Sequence, residues 1–150
     1  MIRLSFGLFG LTLYYTVVTG LHAAELEDQE AVIVTATRTA QTADESLASV
    51  SVISRDDNEQ SQAHNITDLL RLQSGIDVAR SGGPGQQTSL FLRGTNSNQT
   101  LVLIDGVRAA SATTGGFAWQ HLSLTDIDRI EIVRGPRGSL YGSDAIGGVI

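Results

Sequence analysis

Strand-forming residues occur in this chain only as short runs, and two long glycine-containing segments keep them apart. Residues 81–88, SGGPGQQT, and residues 109–118 are too rich in glycine and small side chains for regular structure, so both read as loops. That punctuation limits the fold to short elements. Val50, Val52 and Ser54 alternate with Ser51 and Ile53 as a short strand would. Asp56 and Asp57 then stand where a helix N-terminus favours carboxylates. Asn65-Ile66-Thr67-Asp68 has an N-cap residue with an acid three positions on, and Ile66, Leu69 and Leu70 share one helical face that Gly75 can end. Residues 89–93 and 101–104 are apolar runs joined by the polar turn GTNSNQ, and Asp105-Gly106 marks another turn. RIEIVR, at 129–134, alternates charged and aliphatic residues as a half-buried strand until Gly135-Pro136 stops it. No repeat period is present, and the pattern predicts one small α+β domain with long loops.

The N-terminus has a different character. Arg3 is followed by an uncharged apolar stretch from Leu4 to Leu21, then Ala23, Ala24 and acidic Glu25, the layout of an export signal over 1–24. An uncleaved anchor is the competing reading, but the stretch lies near the lower length limit for a spanning helix. Residues 25–30, ELEDQE, are acidic and expected to be solvated. AVIVTAT, at 31–37, is a β-branched island, and 38–49 reads as a polar linker into a domain that spans 50–150. An island of strand-formers between polar flanks has two readings. It is the first strand of the globular domain, or it is a docking strand that adds to a partner's sheet edge, with Val32 and Val34 facing one way and Ile33 and Thr35 the other.

Composition excludes several chemistries. All ten basic residues are arginine, so Schiff-base catalysis and the lysine-bearing phosphate loop are ruled out by residue type. Cysteine is absent, which removes disulfides and thiolate metal sites. After residues 1–24, nine arginines stand against sixteen acids, a net charge of about −7 with histidines neutral, the wrong sign for nucleic acid. His64 and His121 have no ligand-spaced neighbours, and Asp126 and Asp128 lack the rest of a calcium loop, so no metal site or cofactor is expected. Asp126 and Asp128 read instead as a helix start before the next strand. Ser139 and Ser143 have neither a nucleophile-elbow context nor an assignable His–Asp pair, and the chain reads as a non-enzyme.

The C-terminal third carries a resemblance. Leu92-Arg93-Gly94, Leu103-Ile104-Asp105-Gly106-Val107, Ile130-Glu131-Ile132-Val133-Arg134-Gly135-Pro136, Leu140-Tyr141-Gly142-Ser143 and Ala145-Ile146-Gly147-Gly148-Val149-Ile150 occur in that order. This series resembles the plug domain of TonB-dependent outer-membrane receptors, and the likeness covers most of residues 31–150. By that resemblance Glu30, Ala31, Val32, Ile33, Val34, Thr35 and Ala36 form the TonB box, which selects the docking-strand reading and names TonB as the periplasmic partner. ITDLLRLQSGIDVARSGG, FLRGTNSNQTLVLIDGVR and GSDAIGGVI are most similar to the cobalamin-carrying branch of the family.

The resemblance further implies that two apical loops touch the transported ligand, cobalamin. They are Ser81, Gly82, Gly83, Pro84, Gly85, Gln86, Gln87 and Thr88 in the first, and Ala109, Ala110, Ser111, Thr113 and Thr114 in the second. Arg93 and Arg134, beside strand ends, are expected to pair with carboxylates of a surrounding barrel of ~22 strands in the outer membrane. Gln73-Ser74-Gly75 departs from the family's usual Leu-Pro-Gly, and AASATTGGF departs further from its second loop. Family members continue past the position of Ile150 into that barrel, so the plug is expected to be C-terminally truncated here and the barrel absent. The alternatives are an iron-siderophore receptor and, from another class, a stand-alone periplasmic binding or signalling module.

Overall fold

The computed structural model describes Val32, Ile33, Thr35, Thr39, Gln41, Thr42 and residues 47–150. The expected signal segment 1–24, the acidic lead and Glu30, Ala31, Val34 and Ala36 of the expected docking strand lie outside the described residues. In chain order the strands are β1 (Val32–Ile33), β2 (Gln41–Thr42), β3 (Ser49–Ser54), β4 (Ile76–Arg80), β5 (Thr88–Leu92), β6 (Thr100–Leu101), β7 (Leu103–Ile104), β8 (Val107–Arg108), β9 (Arg129–Arg134) and β10 (Gly148–Val149). The α-helices are α1 (Arg55–Ser61), α2 (Ile66–Arg71) and α3 (Gly138–Tyr141).

A mixed four-stranded sheet, ordered β3-β9-β10-β6, organises the domain. β9 runs antiparallel to β3 over six residue pairs, Ser49 opposite Arg134 through to Ser54 opposite Arg129. The two-residue side-chain period sends Ile130 and Ile132 to one face with Ile53, and Val133 to the other with Val50 and Val52. On the first face, α2 and the β4–β5 hairpin complete the main core, in which Leu70, Leu92 and Ile132 are wholly buried. β10 lies between β9 and β6, antiparallel to the former and parallel to the latter. Gly148 permits this. An ideal Cβ there would sit 2.1 Å from the Val133 carbonyl oxygen, at a φ of +150° that L side chains rarely adopt.

The local signals hold where short-range chemistry decides. Ser54 caps α1 in a reciprocal box with Asp57: its Oγ accepts from the Asp57 amide, while its own N–H donates to Asp57 Oδ2 at 2.9 Å. The hydrogen bonds from the Ser54 hydroxyl and amide hold the Asp57 carboxyl below its ordinary value. Asn65 caps α2, accepting from the Asp68 amide at 3.0 Å.

Four expectations differ. Ile76–Arg80 forms β4, a strand not read from the sequence, because its large apolar residues are only Ile76 and Val78, too short a pattern to stand out without the β5 partner. Thr88 consequently belongs to β5, opposite Arg80, and the first loop is 81–87. The run 101–104 is split at buried Val102: Leu101 stays with the central sheet, while Leu103–Ile104 turns into the separate β7–β8 hairpin. Finally, Asp126 ends a 3-10 turn (Leu124–Asp126), capped by Ser123, rather than starting a helix, and Asp128 is ion-paired with Arg55.

Candidate functional site

Two sites are assembled, one between the long loops and one on the outer face of the sheet. The first is a cavity of about 340 Å³ lined by Gln87, Thr88, Ser89, Ser97, Ser111, Thr114, Gly116, Phe117, Ala118, Trp119 and Gln120. No lining residue is charged. Of the residues expected in the first loop, Gln87 and Thr88 reach the cavity, while Ser81, Gly82, Gly83, Pro84, Gly85 and Gln86 do not line it. In the second, Ser111 and Thr114 reach it, and Ala109, Ala110 and Thr113 do not.

The cavity walls are held from within. The Ser81 N–H donates to the Gln87 carbonyl at 3.0 Å, closing the first loop at its base. In the second loop the Ser111 N–H donates to Gly116 O at 2.8 Å and the Gly115 N–H to Ser111 O at 2.9 Å. Trp119 is 4% exposed and belongs to the main core, and Phe117 packs edge-on against it with centroids 4.9 Å apart. A buried indole thus anchors the far end of a glycine-rich loop. Sequence reasoning passed over Phe117, Trp119, Gln120, Ser89 and Ser97; the single tryptophan, next to so polar a loop, was the available signal.

The second site holds the expected docking strand. β1 pairs antiparallel with β2, so the island does have a partner of its own, within the segment read as linker. Ile33 is fully buried against Val133, with Ala48, Val50 and Val52 packed around them. Side chains occupy the backbone groups of Thr35: its N–H donates to Glu131 Oε2 at 2.9 Å, and its carbonyl accepts from the Tyr141 hydroxyl at 3.0 Å. Ile33 and Thr35, the described residues of the expected docking strand with these contacts, are therefore held against the sheet. Burial of Ile33 contributes about 1.5–3 kcal/mol, and each hydrogen bond adds about 1 kcal/mol.

The two arginines separate in character. Arg93, at φ +52°, directly follows β5 and is exposed. Arg134 ends β9 at 5% exposure, where its Nε donates to Ser74 O at 2.9 Å and Nη1 to Ser51 Oγ at 2.8 Å. Its Nη2 has no partner among the described residues. Burial, and then the like charge of Arg93, lower the Arg134 pKa from its ordinary value.

The sequence matches the family described as TonB-dependent Receptor Plug Domain over residues 42–149. The chain belongs to that family. It is 52% identical over 135 residues to the vitamin B12 transporter BtuB of Vibrio cholerae serotype O1, covering 90% of this chain and 22% of that relative. Among solved structures, the fold is similar to a double mutant of the ferric enterobactin receptor PfeA from Pseudomonas aeruginosa, with a TM-score of 0.57 and 25% identity over 79% of this chain and 18% of that one. The siderophore receptor PirA from Acinetobacter baumannii gives a TM-score of 0.53 and 31% identity over 67% and 16%. The chain thus spans about a fifth of the length of these relatives and is a TonB-dependent receptor plug, a small α+β domain with no closed barrel among the described residues. Its relatives are transporters and receptors, and the plug contains the loop cavity on one side and the β1 segment on another.

Proposed function

We propose that this plug is the gate and energy-coupling region of an outer-membrane receptor that imports cobalamin, exported by its 1–24 signal and acting as no catalyst. The observation that carries the ligand reading is the neutral, hydrogen-bonding lining of the loop cavity. Cobalamin presents peripheral carboxamides, which glutamine, serine and threonine satisfy without charge. A ferric catecholate is an anion, and an anion calls for cationic donors. The relationship to BtuB supports the same choice.

Coupling follows from the second site. Residues 30–36 are the docking strand, and TonB takes over the backbone groups of Thr35 that Glu131 and Tyr141 hold at rest. The few kcal/mol involved is within what a partner strand supplies. Arg93 and Arg134 pair with carboxylates of the barrel wall. Arg93 is exposed and can do so as it stands, whereas Arg134, whose Nη2 is shielded inside the plug, has to swing outward from Ser51 and Ser74 first.

Binding of labelled cyanocobalamin to outer membranes bearing the complete receptor tests the ligand reading. Gln87→Ala with Ser111→Ala is expected to weaken binding roughly tenfold, two lost hydrogen bonds at about 0.5–1.5 kcal/mol each. Competition by ferric enterobactin, with no cobalamin bound, would replace cobalamin by a siderophore. For the arginines, Arg93→Ala with Arg134→Ala is expected to reduce properly assembled receptor and transport severalfold. Unchanged assembly and transport would remove their assignment to the wall.

A further inference from the structure

Arg80 is the last residue of β4 and stands opposite Thr88, at the neck of the first loop. Its guanidinium points away from the cavity towards the start of α2. Nη2 donates to Asn65 Oδ1 at 2.8 Å, to Asp68 Oδ1 at 2.7 Å and to Thr67 Oγ1. These acceptors are themselves fixed. Asn65 Oδ1 accepts from the Asp68 amide at 3.0 Å and from the Thr67 hydroxyl at 2.6 Å, and Ile66, Leu69 and Leu70 bury the other side of the helix in the core. Towards its outer end the hairpin is held by the buried pair Val78 and Leu90, by Arg71, whose Nη2 donates to Val78 O at 3.3 Å, and by buried Thr88; Ala79 is exposed and Ser89 half-exposed. Among the described residues, Arg80 thus links the neck itself to the α2 N-terminus, while the Ser81–Gln87 backbone bond and the Thr88 hydroxyl bond to Gln86 O stay within the loop.

We infer that Arg80 is a positioning residue for ligand binding, tethering the neck of loop 81–87 to the α2 N-terminus so that Gln87 and Thr88 stay in register with the second loop. The inference rests on the proposed ligand role of the cavity. An ion pair whose partners are 30% and 33% exposed adds little to folding stability. Its effect is on the fraction of molecules whose loop is already placed. A binding-competent fraction that falls tenfold raises the apparent Kd tenfold, through a slower apparent association and an unchanged dissociation rate.

The test measures cyanocobalamin association and dissociation with the complete receptor, alongside hydrogen exchange of the α2 amides. Arg80→Ala is expected to slow association about tenfold with dissociation and α2 protection unchanged. Asp68→Asn attacks the tether from the other side and is expected to slow association in the same way, while Arg80→Lys, which keeps donors and charge, recovers most of the rate. Gln87→Ala serves as the control for the ligand reading. Weakened binding in Gln87→Ala with normal association in both Arg80→Ala and Asp68→Asn overturns the tether and leaves the ligand site standing. Faster dissociation in Arg80→Ala at normal association makes it a direct ligand contact, which also overturns the tether. If neither Gln87→Ala nor Arg80→Ala alters binding, the cavity is not the ligand site and the tether falls with it.

Discussion

Gly148→Val is expected to dismantle the centre of the plug, costing about 4 kcal/mol or more. A Cβ at this position would lie 2.1 Å from the Val133 oxygen, 3.2 Å from the Val133 carbonyl carbon and 2.6 Å from Leu92 Cδ2. Two of those are backbone atoms of β9, the strand that carries the sheet, and they cannot move aside without breaking the pairing to β3. The backbone conformation, at φ +150°, adds a strain that a β-branched residue cannot relieve. β10 would have to leave the sheet, and Leu101, Ala145 and Val149 would lose their shared cluster. Gly147 is the informative neighbour. Its Cβ would meet Thr95 Oγ1 at 2.2 Å but the nearest backbone atom, Gln99 O, only at 3.3 Å, so a rotated hydroxyl absorbs part of the clash and Gly147→Ala should cost less. Gly83 has no atom within 4 Å and no positive φ, and Gly83→Ala should be nearly neutral. Limited proteolysis and thermal unfolding of the complete receptor rank the three. A stable, protease-resistant Gly148→Val plug would mean that β10 is not wedged where it is described.

Val34→Pro is expected to reduce cobalamin uptake to background, while binding to isolated outer membranes changes less than about twofold. Proline removes a backbone donor and is poorly tolerated where a second strand must pair on that side. Strand addition depends on main-chain hydrogen bonds, so one lost donor in a box of seven residues is costly to coupling. Among the described residues, the loop cavity is lined from β5 and the second loop, and Val32, Ile33 and Thr35 do not line it. Uptake into cells and binding to membranes, measured on the same preparation, separate the two functions. If binding disappears together with uptake, the segment supports the cavity and the docking role is lost. Preserved uptake would point to a different coupling segment.

Short-range chemistry was legible because its partners are close in sequence. Ser54 with Asp57, and Asn65 with Asp68, are three residues apart, so their caps follow from residue type and spacing. RIEIVR could be read as a strand because charged and aliphatic residues alternate from Arg129 through Ile132. The cavity was half legible. Glycine-rich composition marked both loops, yet only four of the thirteen residues expected there line it, Gln87, Thr88, Ser111 and Thr114. Composition signals where a chain is irregular, not which side chains converge.

From sequence alone came the α+β character, the two loops, the exclusion of lysine and cysteine chemistry, and the motif series from Leu92 to Ile150 that carries the family resemblance. Tertiary structure alone decided the remainder. Whether Ile33 and Thr35 are held on the sheet depends on Val133, Glu131 and Tyr141, about a hundred residues away, which offer Ile33 an apolar seat and Thr35 its hydrogen bonds. β4 is a strand because β5 pairs with it and the core accepts its two aliphatic residues. Arg134 loses its exposure only when Ser51 and Ser74 close over it, and Arg80 finds Asp68 only once the hairpin lies on α2. Each is a contact between residues distant in sequence, whose free energy exists only after the chain has closed on itself, so no local pattern of residue types records it.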